Sequence, residues 1–311
     1  MRRLFPLLAL YGAINAIAYS SLLPMWEGFD EAYHYGYVQF LSTNLALPVL
    51  GRDTLSREIW HSYEYQPVSH YLQGFTGAPL NFTDYFAKPP EERAQLRVQL
   101  DSLAAYEKYQ PQPDKPNYEV NQPPLPYLPM LAVDQILVNA PLPKRVLWIR
   151  MLIALLAVAM IAHSMLLLAG ELGLPQLYRA IVLFCVFSSQ MLYATICHVS
   201  NDALAVPVMG YLIWAAIRVA HTGTQRDCLL LGLITAAALL TKAYFLFLLP
   251  LAPITTTHGT SAGRPVKQEA ANSQQNRQLR FTFDWFQKVF SWVPKMRGLS
   301  VKGNAPEVVS G

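Results

Sequence analysis

The residues best suited to chemistry lie in one short stretch, positions 24–37, directly after the first apolar run. Asp30, Glu31, His34 and three tyrosines fall within eight residues of one another. In a helix, Asp30 and His34 would share a face, while Glu31 would be rotated by about 100°. A carboxylate beside a histidine at the edge of an apolar region can act as a general base, because desolvation raises its pKa. Alternatively, Asp30 and Glu31 only begin a helix and complement its dipole.

Two basic residues interrupt long apolar runs further along the chain. Arg150 lies in the run 146–170 and Lys242 in the run 228–255. Charged groups inside a bilayer are unfavourable and usually functional, so both are candidate site residues. Arg150 is close enough to the end of its run for its guanidinium to reach the interface, which favours a structural position as much as a functional one.

The composition is that of a membrane protein. Of the 311 residues, 53% are hydrophobic and only 14% are charged, against about 25% charged in soluble domains. The net charge of +4 is spread along the chain, so no nucleic-acid partner is indicated. The three cysteines show neither metal-ligand spacing nor a disulfide framework; they are Cys185, Cys197 and Cys228.

The hydropathy pattern predicts an all-α polytopic membrane protein with five or six transmembrane helices. The last run is either one tilted span or two short segments hinged at Lys242. The basic flank Arg2-Arg3 places the N-terminus in the cytoplasm. A cleavable signal peptide ending near 16–18 is the alternative for the first run. The expected spans are 4–23, 146–170, 180–199, 203–220 and 228–255.

Between the first two spans lies a large extracytoplasmic loop, 24–144, which we expect to contain short helices. Leu96, Leu100 and Leu103 have the spacing of an amphipathic helix over 91–109. The proline-rich segment 121–129 predicts a rigid, kinked approach to the second span, with or without a chemical role.

On composition, the chain divides into two regions, residues 1–255 and a tail of residues 256–311. The tail begins as a polar linker and then shows an amphipathic pattern at 281–293, typical of an interfacial helix. Its excess of basic residues favours the cytoplasm, whereas five single spans would place it outside; both alternatives stay open.

Four short motifs in region 1–255 resemble those of the integral-membrane GT-C glycosyltransferases. This superfamily includes the protein O-mannosyltransferases and the bacterial aminoarabinose transferases. The motifs occur in the order expected for the family, on spans in the expected places. They are Phe29-Asp-Glu-Ala-Tyr-His-Tyr35, Gln122-Pro-Pro-Leu-Pro-Tyr127, Ser200-Asn-Asp-Ala-Leu204 and Leu239-Leu-Thr-Lys242.

The resemblance implies transfer of a sugar from a polyprenyl-phosphate-linked donor on the outer face of a membrane, with Asp30 as general base. An acceptor of unknown identity would supply the hydroxyl, and the membrane would be a bacterial inner (plasma) membrane. No cofactor is implied, and a divalent metal is possible but not indicated. The other implied site residues orient the acceptor (Glu31, His34), bind substrate (Gln122, Asn201, Asp202) or neutralise the leaving phosphate (Lys242, Arg150 or Lys144-Arg145).

The chain departs from the GT-C pattern in length, because those enzymes usually have eight or more spans. We therefore expect that the chain is a fragment of such an enzyme, that its missing half is supplied elsewhere, or that it is inactive alone. The alternative function is a non-catalytic membrane protein, either a transporter component or an assembly scaffold. Asp30 and Lys242 would then serve as ion or proton-relay sites.

Overall fold

A computed structural model describes residues 4–251, and helices make up 73% of them. The expected all-α character is confirmed at this level. Twelve α-helices are present in the described part: α1 Leu4–Leu22, α2 Glu31–Asn44, α3 Arg57–Tyr65, α4 His70–Thr76, α5 Phe82–Ala87, α6 Pro90–Tyr106, α7 Tyr127–Ile136, α8 Leu142–Glu171, α9 Gln176–Phe187, α10 Gln190–Ile196, α11 Asp202–Thr222 and α12 Gln225–Thr241. The predictions for 256–311 lie outside the described residues.

Three helices, α1, α8 and α11, are long and apolar enough to cross a membrane, and their mean hydropathies are 1.4, 2.5 and 1.7. Helices α9 and α10 would make a fourth span if they act together, although they meet at a bend of 62°. This count of three or four within 4–251 is lower than the predicted five or six.

The difference arises at two breaks in apolar sequence. The expected third span is interrupted at Ser188-Ser189, between α9 and α10. Helix α12 has only 17 residues and ends before Lys242, where the backbone becomes extended (φ −155°, ψ 136°). At 1.5 Å per residue, α12 measures about 26 Å, short of the ~30 Å hydrocarbon core. A 3-10 helix, Ala243–Leu251, follows, so the helix is broken at Lys242, as in the alternative of two short segments.

Small residues let the long helices approach closely. Helix α8 packs against both α1 and α11, and α11 packs against α12. A Cβ on Gly210 would lie 2.6 Å from the Ser164 hydroxyl, and one on Gly12 would meet the Phe187 ring at 3.0 Å. Close packing through small side chains is the usual way in which helices associate within a bilayer.

The region between α1 and α8 is built of short helices, as predicted. Side-chain caps begin several of them: Ser56 accepts from the Ile59 amide, Ser69 from Leu72 and Asn81 from Asp84. The predicted amphipathic helix is α6, which begins with proline at its first turn and buries Leu100 and Leu103. Two short strands, β1 Thr54–Ser56 and β2 Pro111–Pro116, pair antiparallel.

A buried cluster of charged side chains links the region between α1 and α8 to α8 itself. The Arg145 guanidinium contacts Glu58 and lies 3.2 Å from Asp134, and all three side chains are fully buried. It also donates to the Tyr35 hydroxyl (2.6 Å) and the Ala140 carbonyl (3.1 Å). Because these partners occupy the guanidinium, Arg145 differs from the expectation that it faces a phosphate. We call Arg145, Glu58, Asp134 and Tyr35 the Arg145 clamp.

Candidate active site

Asp30 lies just before α2, in the turn that joins it to the first long helix. Its backbone is left-handed (φ 54°, ψ 18°), which is uncommon for a residue other than glycine. The carboxylate is exposed, makes no cap hydrogen bond and accepts from the Tyr118 hydroxyl. Helix α2 nevertheless begins at Glu31 with Asp30 as its N-cap residue, so the alternative in which these two acids begin a helix agrees with the structure. A strained backbone that presents a carboxylate to solvent is typical of functional sites.

Asp30 and His34 do not form the predicted pair. The amide of His34 donates to the Asp30 carbonyl at 3.0 Å, but the His34 ring points elsewhere. Its Nδ1 lies 2.7 Å from the Tyr127 hydroxyl and 3.7 Å from Glu119 Oε2. Burial, with the nearby charges of His198 and Lys242, lowers the pKa of His34 to about 3, so its ring is neutral at ordinary pH. The contact with Glu119 is consequently not an ion pair.

Glu31, the next residue along the chain, is only 1% exposed, and both of its carboxylate oxygens accept hydrogen bonds from protein groups. The Arg150 guanidinium forms two hydrogen bonds to its carboxylate. Backbone amides of Trp26 (3.0 Å) and Val199 (2.9 Å) donate to the two oxygens. Burial alone would raise the pKa of Glu31, but the Arg150 charge and these hydrogen bonds outweigh it and hold that pKa below its usual value.

Arg150 does not extend to the interface, contrary to the alternative raised by its position in the sequence. It is 3% exposed, and besides Glu31 it binds the carbonyls of Leu23 (2.5 Å) and Pro24 (2.9 Å). The pair thus ties α8 to the end of α1, to the start of α2 and to the segment after α10. Four of the five N–H donors of Arg150 are therefore bound to protein oxygens, and Glu31 is neutralised by this contact.

Gln122 and Asn201, which are far apart in sequence, meet as expected for a shared site. The Asn201 side-chain amide donates to Gln122 Oε1 at 2.9 Å. Gln122 follows the 3-10 turn Tyr118–Asn121, which also carries the Tyr118 that contacts Asp30. Asn201 immediately precedes α11. The loop before α7 and the turn before α11 are therefore brought to the same place as Asp30.

Lys242 and Asp202 form a second pair at this place. The Lys242 ammonium contacts Asp202 Oδ1, and the two side chains are 23% and 33% exposed. Helix α12 ends immediately before Lys242, so the lysine side chain leaves from a break in helical structure. The charge of Lys242 adds to the burial that lowers the pKa of His34 and opposes the burial that raises the pKa of Glu119, which places all three in one electrostatic neighbourhood.

Glu119 and Tyr118 are site residues that were not nominated from the sequence. Glu119 is buried, and its Oε2 has no hydrogen-bond partner among the described residues. Burial and the neighbouring charge of Asp30 raise the pKa of Glu119. The only sequence signal was the repeated Tyr-Glu before a Gln-Pro pair, at 63–67 and 118–123, whose second copy contains both residues.

Within 4–251, no group of three His, Cys, Asp or Glu side chains is arranged to hold a metal ion. The site contains the exposed carboxylate of Asp30 on a strained turn, the partly exposed ammonium of Lys242 and buried polar side chains, of which His34 is neutral. No known protein family, curated protein or solved structure matches the chain.

Proposed function

We propose that this protein is a GT-C-type glycosyltransferase that transfers a sugar from a polyprenyl-phosphate-linked donor to an acceptor hydroxyl at the outer face of a membrane. One observation carries the proposal: the adjacent carboxylates Asp30 and Glu31 lie in opposite environments. Glu31 is buried and neutralised by Arg150, whereas Asp30 is exposed and has no cationic partner among the described side chains. Of these two carboxylates, only that of Asp30 is free to accept a proton from a substrate.

The chemistry requires a base on one side of the sugar and a stabilised leaving group on the other. Tyr118 occupies Oδ1 of Asp30, which leaves Oδ2 to accept the proton of the acceptor hydroxyl. The acceptor oxygen then forms a bond to the anomeric carbon as the bond to the phosphate oxygen breaks, with inversion. The proton resides on Asp30, and the departing polyprenyl phosphate retains the electron pair of the broken bond.

Lys242 is the group best placed to stabilise the phosphate. Of the basic residues nominated from the sequence, Arg145 and Arg150 are held by buried carboxylates. Lys144 is exposed at the start of α8, whereas Lys242 lies in the same electrostatic neighbourhood as His34 and Glu119. A phosphate would share the ammonium of Lys242 with Asp202, and its developing charge would be stabilised by that contact.

A second candidate, a transporter component, is favoured by the broken helices. Helices α9 and α10 meet at 62°, and α12 stops at Lys242, as in the discontinuous helices of transporters. In this function Asp30 and Lys242 would carry ions or protons, and no donor would be consumed. The two candidates therefore differ in whether lipid phosphate is released.

The test is turnover by the full chain in proteoliposomes containing a panel of synthetic polyprenyl-phosphate hexoses and pentoses, with an extract of cell-envelope acceptors. We expect release of free polyprenyl phosphate from at least one donor. Asp30→Asn should reduce the rate by about 10² to 10⁴, the usual effect of losing a general base. Asp53→Asn, which alters an acidic residue of the same loop held by Arg52, is the control and should keep the rate. Equal turnover by Asp30→Asn and wild type would contradict the proposal.

A further inference from the structure

The segment between α10 and α11, residues 197–201, carries three buried polar side chains with unused hydrogen-bonding atoms. His198, Ser200 and Asn201 are each 1% exposed. His198 Nε2, Ser200 Oγ and Asn201 Oδ1 have no partner among the described residues. Leaving a buried polar atom unpaired costs roughly 1–3 kcal/mol, so three such atoms within five residues are unfavourable unless a ligand pairs with them. They indicate a polar ligand that pairs with these atoms.

This 197–201 segment lies directly against the turn that holds Asp30. The amide of Val199 donates to Glu31 Oε1 at 2.9 Å. A Cβ on Gly28 would come within 2.5 Å of the His198 Cβ, so only glycine allows this approach. On its other side, Asn201 binds Gln122. A ligand bound by any of these three atoms would therefore be a neighbour of the candidate base.

The unused atoms are mainly hydrogen-bond acceptors. His198 Nδ1 lies 3.0 Å from the Ala194 carbonyl, which can only accept, so Nδ1 carries the ring proton. Burial lowers the pKa of His198, which keeps the ring neutral and leaves Nε2 with a free lone pair. Asn201 donates through Nδ2 and is left with its carbonyl oxygen. Ser200 can donate or accept.

We propose that the 197–201 segment is a subsite for the hydroxyl groups of a sugar ring. Two acceptors and one hydroxyl complement a ligand rich in O–H donors, whereas phosphate oxygens would meet lone pairs at His198 and Asn201. The subsite thus separates the two ends of the donor: ring hydroxyls at 197–201 and phosphate at Lys242. Its assignment to the donor sugar rests on the proposed function, but the binding of hydroxyl groups does not.

Saturation-transfer NMR on the full chain in nanodiscs tests the subsite without turnover. The probes are methyl α-mannopyranoside, methyl α-glucopyranoside and methyl α-galactopyranoside, each beside its fully O-methylated form, which lacks O–H donors. We expect saturation transfer to at least one free glycoside and none to its O-methylated form. Ser200→Ala and Asn201→Ala should each reduce the signal several-fold. Ser164→Ala removes an equally buried hydroxyl that already bonds to Ile161, so it should retain the signal.

Unfolding temperature provides the second measurement. Ser200→Ala deletes an atom that has no partner among residues 4–251, so without glycoside it should unfold at the wild-type temperature or above it. A lower unfolding temperature together with an unchanged glycoside signal would mean that the atoms hold structural water, and would overturn the proposal. Absence of signal from every glycoside in wild type would also overturn it. Asp30→Asn should keep the glycoside signal. Loss of binding in wild type would therefore contradict the subsite, whereas unchanged turnover in Asp30→Asn would contradict the role of Asp30 as base.

Discussion

Asp30 and Glu31 are neighbouring carboxylates that the fold places in different environments. The left-handed backbone of Asp30 turns its carboxylate to solvent and to Tyr118, while Glu31 enters the protein and meets Arg150. His34, expected to support Asp30, instead joins Tyr127 in the interior. At the residue scale, the site therefore consists of one accessible carboxylate above a layer of buried groups that set its position.

The neutral state of His34 predicts a specific dependence of stability on pH. Its pKa is about 3 in the folded protein and 6.5 when unperturbed, so the unfolded state binds a proton first as pH falls. The stability contributed by neutral His34 is complete above pH 6.5 and is lost towards pH 3, by up to ~1.4 kcal/mol per pH unit.

Denaturant unfolding of wild type and His34→Gln between pH 7.5 and 4 measures this slope. His34→Gln retains hydrogen-bonding capacity but cannot titrate, so its free energy of unfolding should fall less steeply below pH 6.5. His70→Gln, at an exposed position, is the control and should follow wild type. Parallel curves for His34→Gln and wild type would show that His34 is not held neutral.

At the scale of elements, three buried ion pairs made by two arginines hold the short helices between α1 and α8 against α8. The Glu31–Arg150 pair fixes the start of α2, and the Arg145 clamp fixes α3 and α7. Both arginines lie in the first three turns of α8, where the apolar helix meets the polar loop. The position of Asp30 thus depends on contacts made by α8.

Arg145→Met should destabilise the protein strongly, because Glu58 and Asp134 would remain buried without a counter-charge. Breaking a buried pair by removing one partner typically costs about 3–5 kcal/mol. Arg52→Met is the matched control, since Arg52 pairs with Asp53 at the surface and its side chain is 66% exposed; it should cost less than about 1 kcal/mol. Thermal unfolding in detergent compares them, and similar effects of both substitutions would contradict the structural role of the clamp.

At the scale of the whole molecule, local patterns in the sequence predicted the elements better than their partners. Runs of apolar residues located α1, α8 and α11, because hydropathy reports on each segment alone. The same reasoning missed the break at 188–189, since serine pairs interrupt a helix without ending its apolar character. It also could not identify the partner of Arg150, which lies 119 residues away in the chain and is selected by packing.

In the candidate site, too, the sequence predicted some residues but not all of their partners. The motifs placed Gln122 and Asn201 in one site, and the structure joins them. The expected Asp30–His34 pair failed because a helical face was assumed for Asp30, whereas its backbone is left-handed. Glu119, His198 and Ser200 are ordinary polar residues in sequence, and what distinguishes them is burial with one side-chain atom unpaired among the described residues.

The orientation in the membrane is a further prediction for the whole chain. Ser102 lies exposed on α6, in the loop expected outside, and Arg226 lies exposed at the start of α12, in the turn expected inside. In a background without native cysteines, Ser102→Cys should react with an impermeant maleimide in intact cells. Arg226→Cys should react only after permeabilisation. Protection of Ser102→Cys in intact cells would contradict this orientation.

The central claim, that Asp30 acts in chemistry and Glu31 in structure, is tested most directly by measuring turnover and unfolding temperature for Asp30→Asn and Glu31→Gln side by side. Asparagine tolerates the left-handed backbone of Asp30, so Asp30→Asn should unfold like wild type while its turnover falls by about 10² to 10⁴. Glu31→Gln leaves Arg150 buried without a counter-charge, so its unfolding temperature should fall, with substantial turnover retained below that temperature. Full turnover in Asp30→Asn, or complete loss of turnover in a Glu31→Gln protein of wild-type stability, would contradict the assignment.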